Sequence, residues 1–370
     1  MEMTLAGNEL ERCSFAFRDG GKEFVNVLEK RQSAFGTLNI YFGKLGKAFK
    51  CDNLQRLLKL DVFEKLKLHS LDEKECAILP FSAQVNGLDY DVDAHLFEPE
   101  DFESVNIVAK DLNLRLILDN SNNFNEVVNS VLDRVAASGK VERLTLATHY
   151  IEFPSDAFPY REIDDLTPFT RALVTAIINN PKLSYLDLSS MYWHMDWAPH
   201  VKEIFEALEA HEEIRTLKIS QYRYNDPNYS WLKQLLSRNR KIAVVGDWNE
   251  RLSYGSSVDK LYALNGLYCG SADLKQDAAS SRPLLVVTSL IEKALRNFQH
   301  ISLLLADHSD ILCEFLNDVE LEALVAVPSV PEETLAPATV PTESKHHGTS
   351  KRSSKTSSSR AAKRAARGTK

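Results

Sequence analysis

A short alternating motif, leucine–any–leucine or a close variant, recurs through most of the chain. The pairs are Leu38/Ile40, Leu66/Leu68, Leu88/Tyr90, Leu116/Leu118, Leu144/Leu146, Leu186/Leu188 and Leu217/Ile219, with a last one at Ile242/Val244. From first residue to first residue the steps are 28, 22, 28, 28, 42, 31 and 25 positions. Alternation with period two over a few residues predicts half-buried strands. A recurrence of about 20–30 residues is the length of one leucine-rich repeat. The 42-residue step holds an insertion, and Val105/Ile107 predicts a further strand inside the third step.

Between these strands the apolar spacing changes to that of a helix. Phe124, Val127, Val128, Val131, Leu132 and Val135 share one face, and Gly139 stands where a helix C-terminal glycine belongs. Thr167 as N-cap and Pro168 at the first helical position open the next helix, which ends at Asn179-Asn180-Pro181. Pro199–Ala210 and Tyr229–Arg238 follow the same pattern. Past about residue 250 the texture is helical: Ser256–Leu267, Pro283–Phe298, and Ile301–Leu316 with a break at His308-Ser309. A further helix is expected near Lys22–Arg31.

The segment NNPKLSYLDLSS, Asn179–Ser190, resembles ribonuclease-inhibitor-type leucine-rich repeats, in which a helix ends in N-x-x-L-x-x-L-D-L-S. His211–Ser220 and Ser138–Ala147 are looser copies, and the Asn or Cys that usually follows the strand is missing from nearly every copy. The resemblance spans roughly residues 36–246. It implies an α/β fold, a leucine-rich-repeat-like solenoid with parallel strands on a concave face and helices on a convex face. It also implies protein binding. The expected organisation is an N-terminal cap over 1–35, the repeat array over 36–250, a helical C-terminal cap over 251–327 and a disordered tail over 328–370.

Charge sharpens this picture. The whole chain carries −8, but nine Lys or Arg and no acid lie beyond Ser344, so the first 344 residues carry −17. An acidic body repels phosphate, so any nucleic-acid contact is expected through the tail alone. Residues 328–344 are proline-rich and 345–370 have too few apolar groups to offset ordering entropy. Lys351, Arg352 and Lys355, then Lys363, Arg364 and Arg367, read either as a nuclear-import signal or as a solubilising tail. Five scattered cysteines without metal-type spacing read as reduced thiols, no signal peptide is visible, and no apolar run approaches a membrane span. An intracellular protein, nuclear or cytoplasmic, without membrane contact, is expected.

Candidate chemistry is sparse. Gly43–Lys47 is too short for a phosphate loop, and neither G-x-S-x-G nor H-E-x-x-H occurs. His194, Asp196 and His200 offer either three metal donors without a known spacing or a loop of caps and packed tryptophans. Aromatics crowd the positions after the strands: Tyr192, Trp193 and Trp197 after one, Tyr222 and Tyr224 after the next. They form either a binding rim or a packed loop edge. Asp89, Asp91 and Asp93 share one strand face, as a row for a basic partner or as a solvated surface. No cofactor or metal is expected. The sequence predicts a non-enzymatic scaffold or adaptor that binds a protein partner. The alternatives are a nuclear or chromatin-associated factor contacting nucleic acid through its tail, or an enzyme whose site has no recognisable motif.

Overall fold

The structure, a computed structural model, describes residues 2–6, 17–31, 33–41, 49–118, 124–150, 166–189, 197–220, 226–253, 255–274, 285–288, 298–311 and 313. Its strands are β1 (Glu2–Ala6), β2 (Gly36–Tyr41), β3 (Phe63–Leu68), β4 (Gly87–Asp93), β5 (Asp111–Leu118), β6 (Arg143–Tyr150), β7 (Tyr185–Leu188), β8 (Thr216–Ile219) and β9 (Ala243–Val245). They form one nine-stranded sheet in which chain order is spatial order and every pair is parallel. Parallel neighbours need crossovers, and here every crossover carries helix or a 3-10 turn. The α-helices are α1 (Lys22–Glu29), α2 (Cys51–Leu58), α3 (Lys74–Ala77), α4 (Phe124–Ser138), α5 (Thr167–Asn179), α6 (Val201–Glu209), α7 (Ser230–Arg238), α8 (Ser256–Leu274) and α9 (Phe298–Asp307).

Register explains why the alternating pairs recur. Leu38, Leu66, Leu88, Leu112, Leu144, Leu186, Leu217 and Val244 stand side by side across β2 to β9, none more than 1% exposed. Ile40, Leu68, Tyr90, Leu114 and Leu146 make a second apolar row two residues further on. Both rows belong to one continuous core with the inner faces of the helices, among them Leu57, Val131, Leu132, Leu173, Phe205 and Leu235. Tyr90 keeps its place in an apolar row because its hydroxyl donates to the Ala77 carbonyl at 2.8 Å. Burial pushes its pKa well above the usual value.

Polar side chains, buried at Asn180, His211 and Asn239 and half-buried at Ser138, join consecutive crossovers. Ser138 Oγ donates to the Ile107 carbonyl at 3.0 Å. Asn180, 1% exposed, donates to the carbonyls of Val135 and Ala176 and accepts from the Val141 amide. His211 reaches the Asn180 carbonyl, and Asn239 donates to the carbonyls of Leu208 and His211, both at 2.9 Å. In each case the buried apolar residue three positions on, Val141, Leu183, Ile214 or Ile242, leads into the next strand. A helix end leaves carbonyls without partners, and Asn180, His211 and Asn239 supply missing donors from a neighbouring crossover. Gly139, at φ +61°, lets the chain leave α4 in the left-handed region.

Several expectations are corrected. The residues of β5 that align with the leucine rows are Leu112 and Leu114, one pair earlier than Leu116/Leu118. Val105 and Ile107 are buried but form no strand; the capped turn Pro99–Phe102 precedes them. Thr167 lies inside α5 with Leu166 as the N-cap residue. β1 is a strand that the leucine pairs did not include. Helix is present at 285–288, and the break after α9 falls at His308. Residues 318–370 lie outside the described residues, among them the tail cations Lys351, Arg352, Lys355, Lys363, Arg364 and Arg367. Among the described residues no helix is long and apolar enough to cross a membrane.

Candidate functional site

Because successive strand residues point to opposite faces, burying the leucine rows turns the intervening residues to the other face. Thr37, Lys65, Gly87, Asp111, Arg143, Tyr185 and Thr216 form one polar row of that face. Asn39, Lys67, Asp89, Asn113, Thr145, Asp187 and Lys218 form the next. Their side chains pair mostly across strands, and the pairs gather in two clusters.

The first cluster centres on Arg115. Its guanidinium bonds to Asp91 and lies 3.4 Å from Asp89, while His69 Nδ1 sits 3.1 Å from the other Asp91 oxygen. Tyr41 packs on the His69 ring at 4.5 Å. Burial works against the Arg115 charge, but Asp91 and Asp89 outweigh it and hold the guanidinium more firmly protonated than usual. Asp89 and Asp91 are each 8% exposed, so the aspartate row is neither a solvated surface nor an uncompensated acidic patch. The Asp89 oxygen facing Arg115 accepts no hydrogen bond, nor do Asn39 Oδ1 and Asn113 Oδ1 in the same row. Asp93, at the strand end, bonds to His95.

The second cluster centres on Asp187. It accepts from the Tyr185 hydroxyl at 3.0 Å, from the Ser189 amide at 2.9 Å and from the Ser189 hydroxyl. Lys218 Nζ lies 3.6 Å away. Arg143 stacks over the Tyr185 ring at 4.0 Å. Burial first, then the Asp187 carboxylate, pushes the Tyr185 pKa up to about 12. Asp187 is the D of the L-D-L-S segment; its role is to hold the strand exit at Ser189 and the neighbouring lysine.

At the entries of β2 to β6, where Gly87 contributes no side chain, lies an open cleft of about 400 Å³. Lys65, Lys110, Asp111, Glu142 and Arg143 line it. Asp111 lies 3.8 Å from both Lys65 and Arg143, and Lys110 lies 3.2 Å from Glu142. Three cations and their counter-carboxylates thus stand around one depression with loose pairing, an arrangement suited to exchanging partners with a charged ligand.

The expected aromatic rim is altered. Trp197 is 2% exposed and its ring lies 5.2 Å from that of Phe169, so it is a core residue and offers no contact surface. Tyr192, Trp193, Tyr222 and Tyr224 lie outside the described residues, as do His194 and Asp196. His200 closes a short turn ahead of α6. Among the described residues no group of three metal-type side chains is placed to hold an ion. The sequence reading overlooked Trp248, which is 86% exposed in the turn after β9. Its only signal was its place between Gly246-Asp247 and Asn249. No protein-family model matches the chain, and no curated protein matches it.

Proposed function

We propose that the chain is a divergent leucine-rich-repeat-like solenoid of the ribonuclease-inhibitor type and acts as a non-enzymatic protein-binding scaffold. The observation that carries this reading is the recurring stitch at Ser138, Asn180, His211 and Asn239. A polar side chain bonding to the preceding crossover, an apolar residue three positions on and a leucine-row residue after it describe one structural unit repeated. Stacked units of that kind bury a common core and leave an extended surface, which is how repeat proteins bind partners. Here that surface is the polar sheet face, and Tyr192, Trp193, Tyr222 and Tyr224, which follow β7 and β8 in the chain, are further candidate contacts. The intended partner is a protein; no cofactor takes part in this reading.

Two substitutions on the polar face, Thr37→Arg and Thr216→Arg, add long charged side chains without entering the core. The reading expects the full chain carrying both to lose the protein that co-purifies with it from native extract. Glu203→Arg with Ser237→Arg, on α6 and α7, leaves that capture unchanged. The reverse pattern contradicts the assignment. A second reading, a nuclear factor contacting nucleic acid, draws on the nine cations beyond Ser344 and on nothing in the folded part.

A further inference from the structure

Trp248 stands on a turn that is fastened on every side. The Gly246 amide donates to the Glu250 carbonyl at 2.9 Å, and the Asn249 amide to the Gly246 carbonyl at 3.1 Å. The Trp248 amide donates to Glu250 Oε2 at 2.9 Å. Asn249 takes φ +60°, a left-handed conformation that asparagine tolerates better than most residues. Val245 pairs antiparallel with Arg251, and the Leu252 amide returns to the Val244 carbonyl at 2.9 Å. Ser220, at the exit of β8, donates to Asp247 and ties this turn to the neighbouring strand. A Cβ at Gly246 would run into the Glu250 carboxylate, so glycine is required for that side chain to fold over the turn.

An indole held out at 86% exposure on so fixed a support contributes nothing to the core. It does offer a rigid aromatic anchor that loses little freedom on binding, the property that places tryptophan among interface hot spots. Two carboxylates flank it. Asp247 is engaged by the Ser220 hydroxyl and Glu250 by a backbone amide, and no described cation pairs with either. Arg251, the nearest cation in sequence, lies over the Tyr262 ring. The turn itself, Gly246–Glu250, carries these two carboxylates and no cation.

We propose that the Trp248 turn is a docking site for an arginine- or lysine-bearing segment of a protein partner. The cation stacks on the indole face and its N–H groups reach Asp247 and Glu250. Tryptophan is the best aromatic acceptor for a cation, and adjacent carboxylates add charge-assisted hydrogen bonds. The turn leaves the sheet at Gly246, beside the exits of β7 at Ser189 and β8 at Ser220. The site therefore extends the proposed scaffold at one edge of the sheet. It rests on the reading of the chain as a protein binder, while naming a residue and a partner chemistry which that reading does not.

The test titrates full-length protein with an acetylated, amidated peptide of alternating glycine and arginine, following tryptophan emission. The Trp248 component is isolated by subtracting the Trp248→Phe chain. The expected result is a saturable change in that component, suppressed by salt. Asp247→Asn with Glu250→Gln weakens it at least tenfold, and a citrulline peptide gives none. Equal response to citrulline or norleucine peptides overturns the cationic assignment, the latter pointing to an apolar contact. Binding undiminished in Trp248→Ala, followed by titration calorimetry, or no saturable change at millimolar peptide in the native chain, overturns the site. If Trp248→Ala still captures the co-purifying protein while the peptide fails, this inference falls and the scaffold reading stands.

Discussion

His211 Nε2 lies 3.0 Å from the carbonyl oxygen of Asn180, 31 residues earlier in the chain. Its Nδ1 accepts from the Ile214 amide at 3.2 Å, so Nε2 carries the hydrogen toward Asn180 and the ring joins two consecutive crossovers. Removing such a bridge strands a buried carbonyl and a buried amide. His211→Ala is expected to cost about 1–3 kcal/mol, the penalty for buried polar groups left without partners. Asn180→Ala removes three bonds and costs more. Denaturant midpoints measure both, and an unchanged midpoint in Asn180→Ala would deny the bridges any energetic role.

Trp197 and Trp248, at opposite extremes of exposure, separate core from surface. Trp197→Ala empties a site packed against Phe169 and is expected to cost about 3–5 kcal/mol. Trp248→Ala is expected to change stability by no more than about 0.5 kcal/mol. Thermal or chemical unfolding of the two variants side by side checks this ordering, and a larger loss in Trp248→Ala reverses it.

Tyr185 carries a pH signature. Its pKa stands at about 12, raised by burial and by Asp187, against the usual value near 10. The folded state therefore favours the protonated phenol. The stability this contributes is complete below pH 10 and is lost as pH rises from 10 toward 12. Difference absorbance of phenolate between the native chain and Tyr185→Phe gives the titration directly. In Asp187→Asn the midpoint falls toward the usual value; a Tyr185 midpoint near 10 in the native chain would refute the environment described.

Arg115 holds two aspartates of one strand. Without it Asp89 and Asp91 repel each other from the same strand face, and Arg115→Ala is expected to cost ~1–2 kcal/mol, between the values for exposed and buried pairs. Adding Asp89→Asn in that background recovers part of the loss. Additivity of the two substitutions would show that the pair is not coupled.

Much of the sheet was legible because period-two leucine pairs interrupted by period-3.6 stretches have few other readings. The phase of β5 was not legible. Leu112, Leu114, Leu116 and Leu118 alternate without a break, and only pairing with Leu88 and Leu144 selects the pair that joins the rows. β1 has a single apolar alternation, Met3/Leu5, too short to stand out. The exposure of an aromatic was equally hidden. Trp197 precedes a turn that folds it onto Phe169, whereas Trp248 tops a turn closed by its own neighbours. Those outcomes depend on contacts such as Phe169–Trp197 and Leu112–Leu144, 28 and 32 positions apart, and composition carries no record of them.

The central claim is that the polar sheet face, and not the helix layer, meets the partner. Benzophenone-bearing residues placed singly at Lys67, Thr145 and Thr216 on that face, and at Glu203 and Ser237 on the helices, test it most directly. After irradiation in native extract, the account predicts covalent adducts to one common protein from the three sheet positions and none from the helices. Adducts confined to the helix positions would contradict it.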